Sequence, residues 1–228
     1  MRTAAIVPVK RFADAKQRLG ATITDPLRRR LAQAMVEDVL VALDLAAAVE
    51  RTIVVTSEHA VARQARARGA LVLEDAAAAG QSAAVMLGVA RAIADGFSRV
   101  LCVPGDCPAL EHGELDALLG ARGASGREVL IVPDRHGTGT NGLLLTPADV
   151  IARSFGPDSC ARHQALADAA GATWRLAHPP SLLLDVDTGA DLTALRARLA
   201  GATVAASRTR SVLGQPARHP TLSTLTSG

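Results

Sequence analysis

The chain has 228 residues, a formal net charge of +3 at pH 7 and an apolar fraction of 49%, so it fits one α/β domain or two small ones. Aromatic residues make up only 2% of it, too few for base-stacking platforms, so no nucleic-acid partner is expected. No stretch approaches the roughly 20 apolar residues of a membrane span, no signal peptide is evident, and the three cysteines lack metal-type spacing, so we expect a cytoplasmic protein without a membrane partner.

A short apolar stretch, Ala4 to Val9, predicts the first strand, and a cation-rich segment follows it. Basic residues directly after the first strand of an α/β fold favour an anionic ligand, most simply a triphosphate. The pattern is neither a Walker loop nor a dinucleotide fingerprint. The alternative is a solvated basic loop. Four cations fall within nine positions here: Lys10, Arg11, Lys16 and Arg18.

Helices and strands then alternate along the chain, which indicates an α/β fold. A helix opens at Asp25-Pro26, and Arg28-Arg29-Arg30 is interpreted as its solvated face. Gly80-Gln81-Ser82 opens a later helix, where backbone N–H groups can approach a ligand, although simple helix entry is the alternative. The apolar patterns predict strands at 52–56, 70–74, 100–103, 128–132, 143–146 and 174–176, and helices at 59–68 and 81–95.

The most informative stretch is residues 100–108, in which four apolar residues run into Pro104-Gly105. An apolar run without polar alternation suits a strand buried on both faces of a parallel sheet. Asp106 then lies just past the carboxyl end of a central strand, where open α/β sheets bind ligands. A carboxylate there suits a metal or a substrate hydroxyl, and the alternative is a helix N-cap or Asx-turn.

Two later loops carry small and hydroxyl residues. Residues 133–142 hold three glycines, two threonines and Asn141, and such a loop can wrap an anion, or form a long hairpin turn. In the second loop, Gly156 lets the backbone turn before a helix whose first turn carries Ser159. Backbone amides and a hydroxyl can converge on a phosphate there. The alternatives are a capping role for Ser159 and a surface position for His163.

The third informative stretch, residues 182–188, is interpreted as a strand that carries two carboxylates. In a strand, Asp185 and Asp187 point to the same face because the side-chain period is two. They repel each other unless a cation lies between them, and Mg²⁺ is the natural choice. Asp187 is also a candidate cap for the following helix. Past Ala200 the composition shifts, so we expect one domain over 1–202 and an irregular tail, mobile or strapped over the surface, over 203–228.

These stretches together resemble a known family, the guanylyltransferases of coenzyme F-420 biosynthesis that act on 2-phospho-L-lactate or phosphoenolpyruvate. The resemblance covers roughly residues 4 to 199. Each motif alone is weak, and their order is specific. The matching motifs are Val7-Pro8-Val9-Lys10, Ala15-Lys16-Gln17-Arg18-Leu19, Gly105-Asp106-Cys107-Pro108, Pro133-Asp134-Arg135, Gly137-Thr138-Gly139-Thr140-Asn141, Phe155-Gly156-Pro157-Asp158-Ser159 with His163, and Asp185-Val186-Asp187-Thr188 with Asp191-Leu192.

The resemblance implies a single three-layer α/β/α nucleotidyltransferase domain of the GT-A, Rossmann-like type with a mostly parallel sheet. It also implies transfer of GMP from GTP to a phosphorylated three-carbon acid, with release of pyrophosphate. Phosphoenolpyruvate and 3-phosphoglycerate are expected ahead of 2-phospho-L-lactate as acceptors. A second copy of the chain and the downstream transferase of the same pathway are open as protein partners.

The resemblance also assigns roles to residues. Asp106, Asp185 and Asp187 would hold Mg²⁺. The acceptor's phosphate and carboxylate would contact the acceptor-binding set, Thr140, Asn141, Gly156 and Ser159. The triphosphate and the departing pyrophosphate would contact Lys10, Lys16 and Arg18, which are the catalytic candidates, with Gly105, Gln81 and Ser82 also on the nucleotide.

One departure concerns the base. The family carries Leu-Asn before the helix at 81–95, whereas this chain has Gln81-Ser82, so guanine preference is less secure than the reaction type. Two other functions remain open at this point. One is another nucleotidyltransferase of the same fold, acting on a molybdopterin or a sugar phosphate, and the other is a non-catalytic nucleotide-binding module.

Overall fold

A computed structural model describes residues 1–13, 16–75, 79–121, 126–201 and 205–214. The strands are β1 Thr3–Val9, β2 Arg51–Thr56, β3 Leu71–Leu73, β4 Arg99–Cys102, β5 Glu128–Pro133, β6 Thr140–Thr146 and β7 Thr173–Leu176. The helices are α1 Asp25–Leu45, α2 His59–Ala67, α3 Gln81–Ala94, α4 His112–Gly120, α5 Ser159–Ala169, α6 Gly189–Gly201 and α7 Ser207–Val212. For the predicted elements that form, the bounds agree within one or two residues, except that β6 begins three residues earlier than expected.

The seven strands form one sheet in the order β3-β2-β1-β4-β6-β5-β7. β1 pairs in parallel with both β2 and β4, and β6 runs antiparallel between β4 and β5. The predicted mostly parallel α/β sheet is therefore confirmed. Since β5 and β6 pair as an antiparallel hairpin, the loop between them is a hairpin turn. This was the alternative interpretation of residues 133–142.

The central strands are buried on both faces, as their unbroken apolar runs predict. Along β1, Ala5 and Val7 pack into the core beneath α1, α2 and α4, while Ala4 and Ile6 pack into the core beneath α3 and α5. Helix α3 lies close to the sheet at Gly88, where an added Cβ would lie 2.5 Å from Ile6 Cγ2. The result is the expected three-layer arrangement, with helices on both faces.

The strand order places the topological switch point between β1 and β4. The chain adds β2 and β3 on one side of β1 and then returns through α3 to add β4 on the other side. Loops that follow strands on opposite sides of such a point diverge, and the crevice left between them is where ligands bind in open α/β sheets. Asp106 follows β4 and Lys10 follows β1, so both lie at this crevice.

The described part of the C-terminal segment is helical, so the expectation of an irregular tail is wrong for residues 207–212. Helix α7 packs on α1, where the buried carboxylate of Asp38 accepts the N–H groups of Arg208 (3.0 Å) and Thr209 (2.8 Å). Asp38 thus receives the unpaired amides of the α7 N-terminus. Residues 202–204 and 215–228 lie outside the described part.

No helix in the described ranges is both long enough and apolar enough to cross a bilayer.

Asp38 provides a direct test of how α7 is held. We expect Asp38→Ala to lower the free energy of unfolding by about 1–3 kcal/mol, because two backbone amides, of which that of Thr209 is buried, lose their acceptor. Trypsin should cleave the native variant after Arg208 or Arg210 several times faster than it cleaves the wild type. Asp44→Ala removes an exposed carboxylate that lies 3.9 Å from Arg68 and serves as the control, with little change expected. Equal cleavage rates in wild type and Asp38→Ala would contradict the role of Asp38.

Candidate active site

A pocket of about 430 Å³ opens at the switch point. Its walls come from the ends of β1 and β4, the start of α3 and one face of α1, as the topology requires. Gly105 lies where an added Cβ would be 3.0 Å from Val36 and 3.3 Å from Val9, so no larger residue fits there without movement. The polar lining residues are Lys10, Arg11, Lys16, Ser57, Asp75, Gln81, Asp106 and Asp187.

Two of the predicted carboxylates share one cation. Lys16 Nζ donates to Asp106 Oδ2 in a short contact and to Asp187 Oδ1 at 2.6 Å. Lys16 is 9% exposed, Asp106 24% and Asp187 49%, so the ammonium is enclosed and the carboxylates reach the pocket. Burial opposes the charge of Lys16, but Asp106 and Asp187 more than offset it and raise the pKa of its ammonium.

The backbone brings the third carboxylate to the same place. Val186 N–H donates to the carbonyl oxygen of Asp106 at 3.1 Å, which fixes the segment 185–187 beside the end of β4. Asn141 Nδ2 donates to Asp185 Oδ1 at 3.1 Å. Burial, and after it the charge of Asp106, raises the pKa of Asp185 to about 6. Asp185 thus lies close enough to Asp106 for the charge of that carboxylate to add to the effect of burial.

The local structure differs from the expectation in two ways. Residues 182–188 are not a strand, and Leu182, Leu184 and Val186 are instead buried from an irregular segment. The helix after it is capped by Thr188, because Thr188 Oγ1 accepts Asp191 N–H at 3.3 Å and Asp191 Oδ2 accepts Thr188 N–H at 2.7 Å. Asp187 is therefore not the capping residue, and its side chain contacts Lys16 instead.

Asp106 is also not a cap. Its Oδ2 contacts Lys16, and its Oδ1 is buried without a hydrogen-bond partner among the described residues. A buried carboxylate oxygen without a partner is costly, and coordination of a cation would satisfy it. Among the described residues no three His, Cys, Asp or Glu side chains form a ready metal cage. The donor set still fits a hard divalent cation, provided that Lys16 moves.

A second polar group lies beside the carboxylates at the end of the β5–β6 hairpin. We call it the hydroxyl cluster, and it consists of Thr140, Ser159 and His163. Ser159 Oγ lies 3.0 Å from Thr140 Oγ1, which lies 3.1 Å from His163 Nδ1. All three residues are buried, so the surface position considered for His163 is wrong. Cys160 N–H donates to Thr138 O at 3.0 Å and docks α5 onto the hairpin.

The segment before α5 completes this second site. Gly156 has φ +118, which only glycine adopts readily, and Asp158 takes a left-handed conformation, so the backbone turns sharply into α5. Ser159 makes its hydrogen bond to Thr140, which rules out the capping alternative. Phe155 N–H donates to Ser82 Oγ at 3.0 Å, so Ser82 holds this segment.

The residues predicted to bind the nucleotide do not all line the pocket. Lys10 and Gln81 line the pocket, whereas Ser82 does not. Arg18 is exposed on the Gln17–Leu19 turn and also lies outside the lining. The acceptor-binding set predicted from the sequence lies together around the hydroxyl cluster and the Asn141–Asp185 contact.

Sequence reasoning missed Arg28, which was interpreted as solvated and is 2% exposed. Its Nη1 donates to the carbonyl oxygen of Phe12 at 3.1 Å, and Phe12 N–H donates to Glu58 Oε2 at 3.0 Å. These contacts fix the start of the basic loop above the pocket. The helical spacing of Arg28 with Leu31 and Met35, both buried, is the signal that could have revealed it.

Sequence comparison with known proteins finds one family. The profile of the family described as "Guanylyl transferase CofC like" matches residues 3–205. A phosphoenolpyruvate guanylyltransferase of Conexibacter woesei is 51% identical over 215 residues, covering 94% of this chain and 96% of that protein. A phosphoenolpyruvate guanylyltransferase of Sphaerobacter thermophilus is 38% identical, covering 84% and 91%.

Solved structures share the fold at low identity. A nucleotidyl transferase from Methanothermobacter has a TM-score of 0.57 at 21% identity, covering 86% of this chain and 97% of that one. A 4-diphosphocytidyl-2C-methyl-D-erythritol synthase has a TM-score of 0.59 at 16% identity, with coverages of 86% and 97%. The fold is thus that of nucleotidyltransferases, and the profile match over most of its length places this chain in the CofC-like guanylyltransferase family.

Proposed function

We propose that this protein transfers GMP from GTP to phosphoenolpyruvate, with 3-phosphoglycerate as the next candidate acceptor, in coenzyme F-420 biosynthesis. The observation that carries the proposal is the contact of Lys16 with both Asp106 and Asp187 in the pocket that the switch point creates, with Asp185 held close to Asp106. The names of the Conexibacter and Sphaerobacter relatives support phosphoenolpyruvate over 2-phospho-L-lactate.

The reaction joins two anions. An oxygen of the acceptor phosphate bonds to the α-phosphorus of GTP, and the bond from that phosphorus to the bridging oxygen of pyrophosphate breaks. The acceptor phosphate is already ionised at neutral pH, so no general base is needed. The site must instead overcome charge repulsion and hold the two reactants in line, and orientation alone is worth roughly 7–11 kcal/mol in favourable cases.

We assign the carboxylates to Mg²⁺, held by Asp106 and Asp187 with Asp185 beside them. Bound there, the ion would neutralise phosphate charge and act as a Lewis acid at the α-phosphorus. The present position of Lys16 is informative, because its ammonium supplies the positive charge between two of these carboxylates. Released from them, Lys16 would join Lys10 on the triphosphate and stabilise the departing pyrophosphate.

The acceptor would occupy the region of the hydroxyl cluster. Thr140 and Ser159 lie next to Asn141, whose amide holds Asp185. Thr140 is therefore one residue along the chain from Asn141, which holds Asp185 beside the proposed metal site. This spacing suits attack on an α-phosphate that lies over the carboxylates. Gly156, at the sharp turn before α5, leaves the backbone open to the acceptor.

The base would lie at the other end of the pocket. Ser57 follows β2 and Asp75 follows β3, on the far side of β1 from Asp106, and Gln81 opens α3 nearby. Guanine presents two adjacent donors, N1–H and the 2-amino group, which a carboxylate accepts together. We therefore assign guanine selection to Asp75, with Gln81 as a further polar contact. In this assignment Asp75 and Gln81 contact the base, in place of the Asn that the family carries at the position of Ser82.

The direct test incubates the protein with GTP, Mg²⁺ and each of phosphoenolpyruvate, 3-phosphoglycerate and 2-phospho-L-lactate. Mass spectrometry should detect the diester with phosphoenolpyruvate, together with stoichiometric pyrophosphate. Asp106→Asn should lower kcat by about 100-fold or more while the variant stays folded by circular dichroism, because a charge-stabilising group is lost. Asp149→Asn, an exposed carboxylate outside the pocket, is the matched control.

Two results would refute this function: no diester with any of the three acids, or an Asp106→Asn variant with more than a tenth of wild-type activity. Pyrophosphate release with CTP or UTP in preference to GTP would point to a different nucleotidyltransferase of this fold.

Asp75→Asn tests the base assignment. An amide presents one acceptor and one donor, which mismatches guanine but matches xanthine, since xanthine has a carbonyl where guanine has the 2-amino group. We expect kcat/KM for GTP to fall about 10- to 100-fold and kcat/KM for xanthosine triphosphate to rise above the wild-type value. Glu74→Gln changes the exposed neighbouring carboxylate and should alter neither value. An unchanged preference for GTP in Asp75→Asn would rule out this role.

A further inference from the structure

His163 has hydrogen-bonding partners on both ring nitrogens, although it lies outside the pocket lining. Its ring is fully buried. Ser154 N–H donates to Nε2 at 3.1 Å, and Thr140 Oγ1 lies 3.1 Å from Nδ1. The edge of the ring also packs against Phe155, with ring centroids 5.2 Å apart. Hydrogen bonds at both ring nitrogens fix the orientation of the ring, which can then direct a neighbouring group.

These contacts determine the tautomer. A backbone N–H can only donate, so Nε2 must accept and cannot carry a proton. Burial, and after it the charge of Arg162, lowers the pKa of His163 to about 4, so the ring is neutral at neutral pH. A neutral imidazole has one N–H, which must then be on Nδ1. His163 therefore donates to Thr140.

The tautomer of His163 in turn determines which hydrogen bonds the hydroxyls of Thr140 and Ser159 donate. Thr140 Oγ1 accepts from His163, and the contact between Thr140 and Ser159 uses one hydroxyl proton. Two hydroxyls carry two protons, so one O–H remains whichever of the two donates to the other. That proton points out of the pair and is available to an acceptor atom. With the opposite tautomer, Thr140 would donate its own proton to Nδ1, and the pair would lose this free donor.

We propose that His163 is a positioning residue: its Nδ1–H orders the Thr140–Ser159 pair so that the pair presents a hydroxyl donor to the anionic group of the acceptor. This inference rests on the proposed function, since it concerns the acceptor side of the same reaction. His163 touches neither substrate and acts through Thr140. The same ring holds Ser154, and through it the segment that contains Gly156, so one side chain connects Thr140, Ser159 and Gly156.

The test compares two substitutions of His163 in steady-state kinetics. His163→Phe keeps a ring but removes both hydrogen bonds, and we expect the KM for phosphoenolpyruvate to rise about tenfold while the KM for GTP stays within twofold. His163→Asn places an amide N–H near the position of Nδ1 and should recover most of the loss. Phe155→Leu removes the ring contact but leaves both imidazole hydrogen bonds, and is the matched packing control with little change in either KM.

Coupling to Thr140 separates positioning from general damage. Once Thr140→Val has removed the hydroxyl, a further His163→Phe change should raise the KM for phosphoenolpyruvate less than twofold. Equal tenfold effects in the two backgrounds would overturn the proposal. So would a His163→Phe variant whose two KM values rise together, or one whose acceptor KM stays at the wild-type value.

Nitrogen NMR of the free wild-type protein tests the tautomer without any turnover. We expect a protonated Nδ1 and an unprotonated Nε2 at neutral pH, and a protonated Nε2 would overturn the inference even if the enzyme makes the diester. Conversely, a protonated Nδ1 in a protein that makes no diester would leave the orientation of Thr140 in place and remove only the proposed reaction. Failure of the tautomer assignment and failure of the proposed reaction therefore give different results.

Discussion

The ammonium group of Lys16 lies between the carboxylates of Asp106 and Asp187, with Asp185 close by. Gathering three acidic side chains in one cleft costs electrostatic free energy, and without a cation the arrangement would favour protonation or separation. The rest of the site is arranged around this constraint. The basic loop supplies the cation, and Lys16 adopts a left-handed backbone conformation there, which is uncommon outside glycine.

The architecture explains why these groups meet. β4 ends beside β1 at the switch point, so Asp106 faces the loop that carries Lys16. The segment 185–187 comes from far along the chain and is fixed there by the Val186 N–H bond to the Asp106 carbonyl. The Asn141–Asp185 contact then joins the hairpin to the carboxylates. The carboxylates at the pocket and the hydroxyl cluster are thus connected through Asn141.

Much of this was predictable from local patterns. Unbroken apolar runs gave the buried strands, and Pro104-Gly105 placed Asp106 at a strand end. What could not be predicted depends on tertiary contacts. Leu182, Leu184 and Val186 alternate as in a strand, yet they reach two different cores from an irregular segment. A strand and this irregular buried segment share the same local apolar pattern, so the local sequence does not distinguish them.

The remaining misses concern polar residues and a short helix. His163 is fully buried because three partners meet its ring, and none of them is adjacent to it in sequence. Helix α7 has only six residues, too few to show an apolar period, and it depends on Asp38 from a distant helix. The pairing of Lys16 with carboxylates 90 and 171 residues away is likewise invisible to any local window.

A crystal structure with Mn²⁺ and a non-hydrolysable GTP analogue is the most direct measurement of the central claim. Anomalous scattering should place the ion between Asp106 and Asp187, with Lys16 turned away from them onto the phosphates. An ion bound elsewhere, with Lys16 still bridging the two carboxylates, would contradict the account.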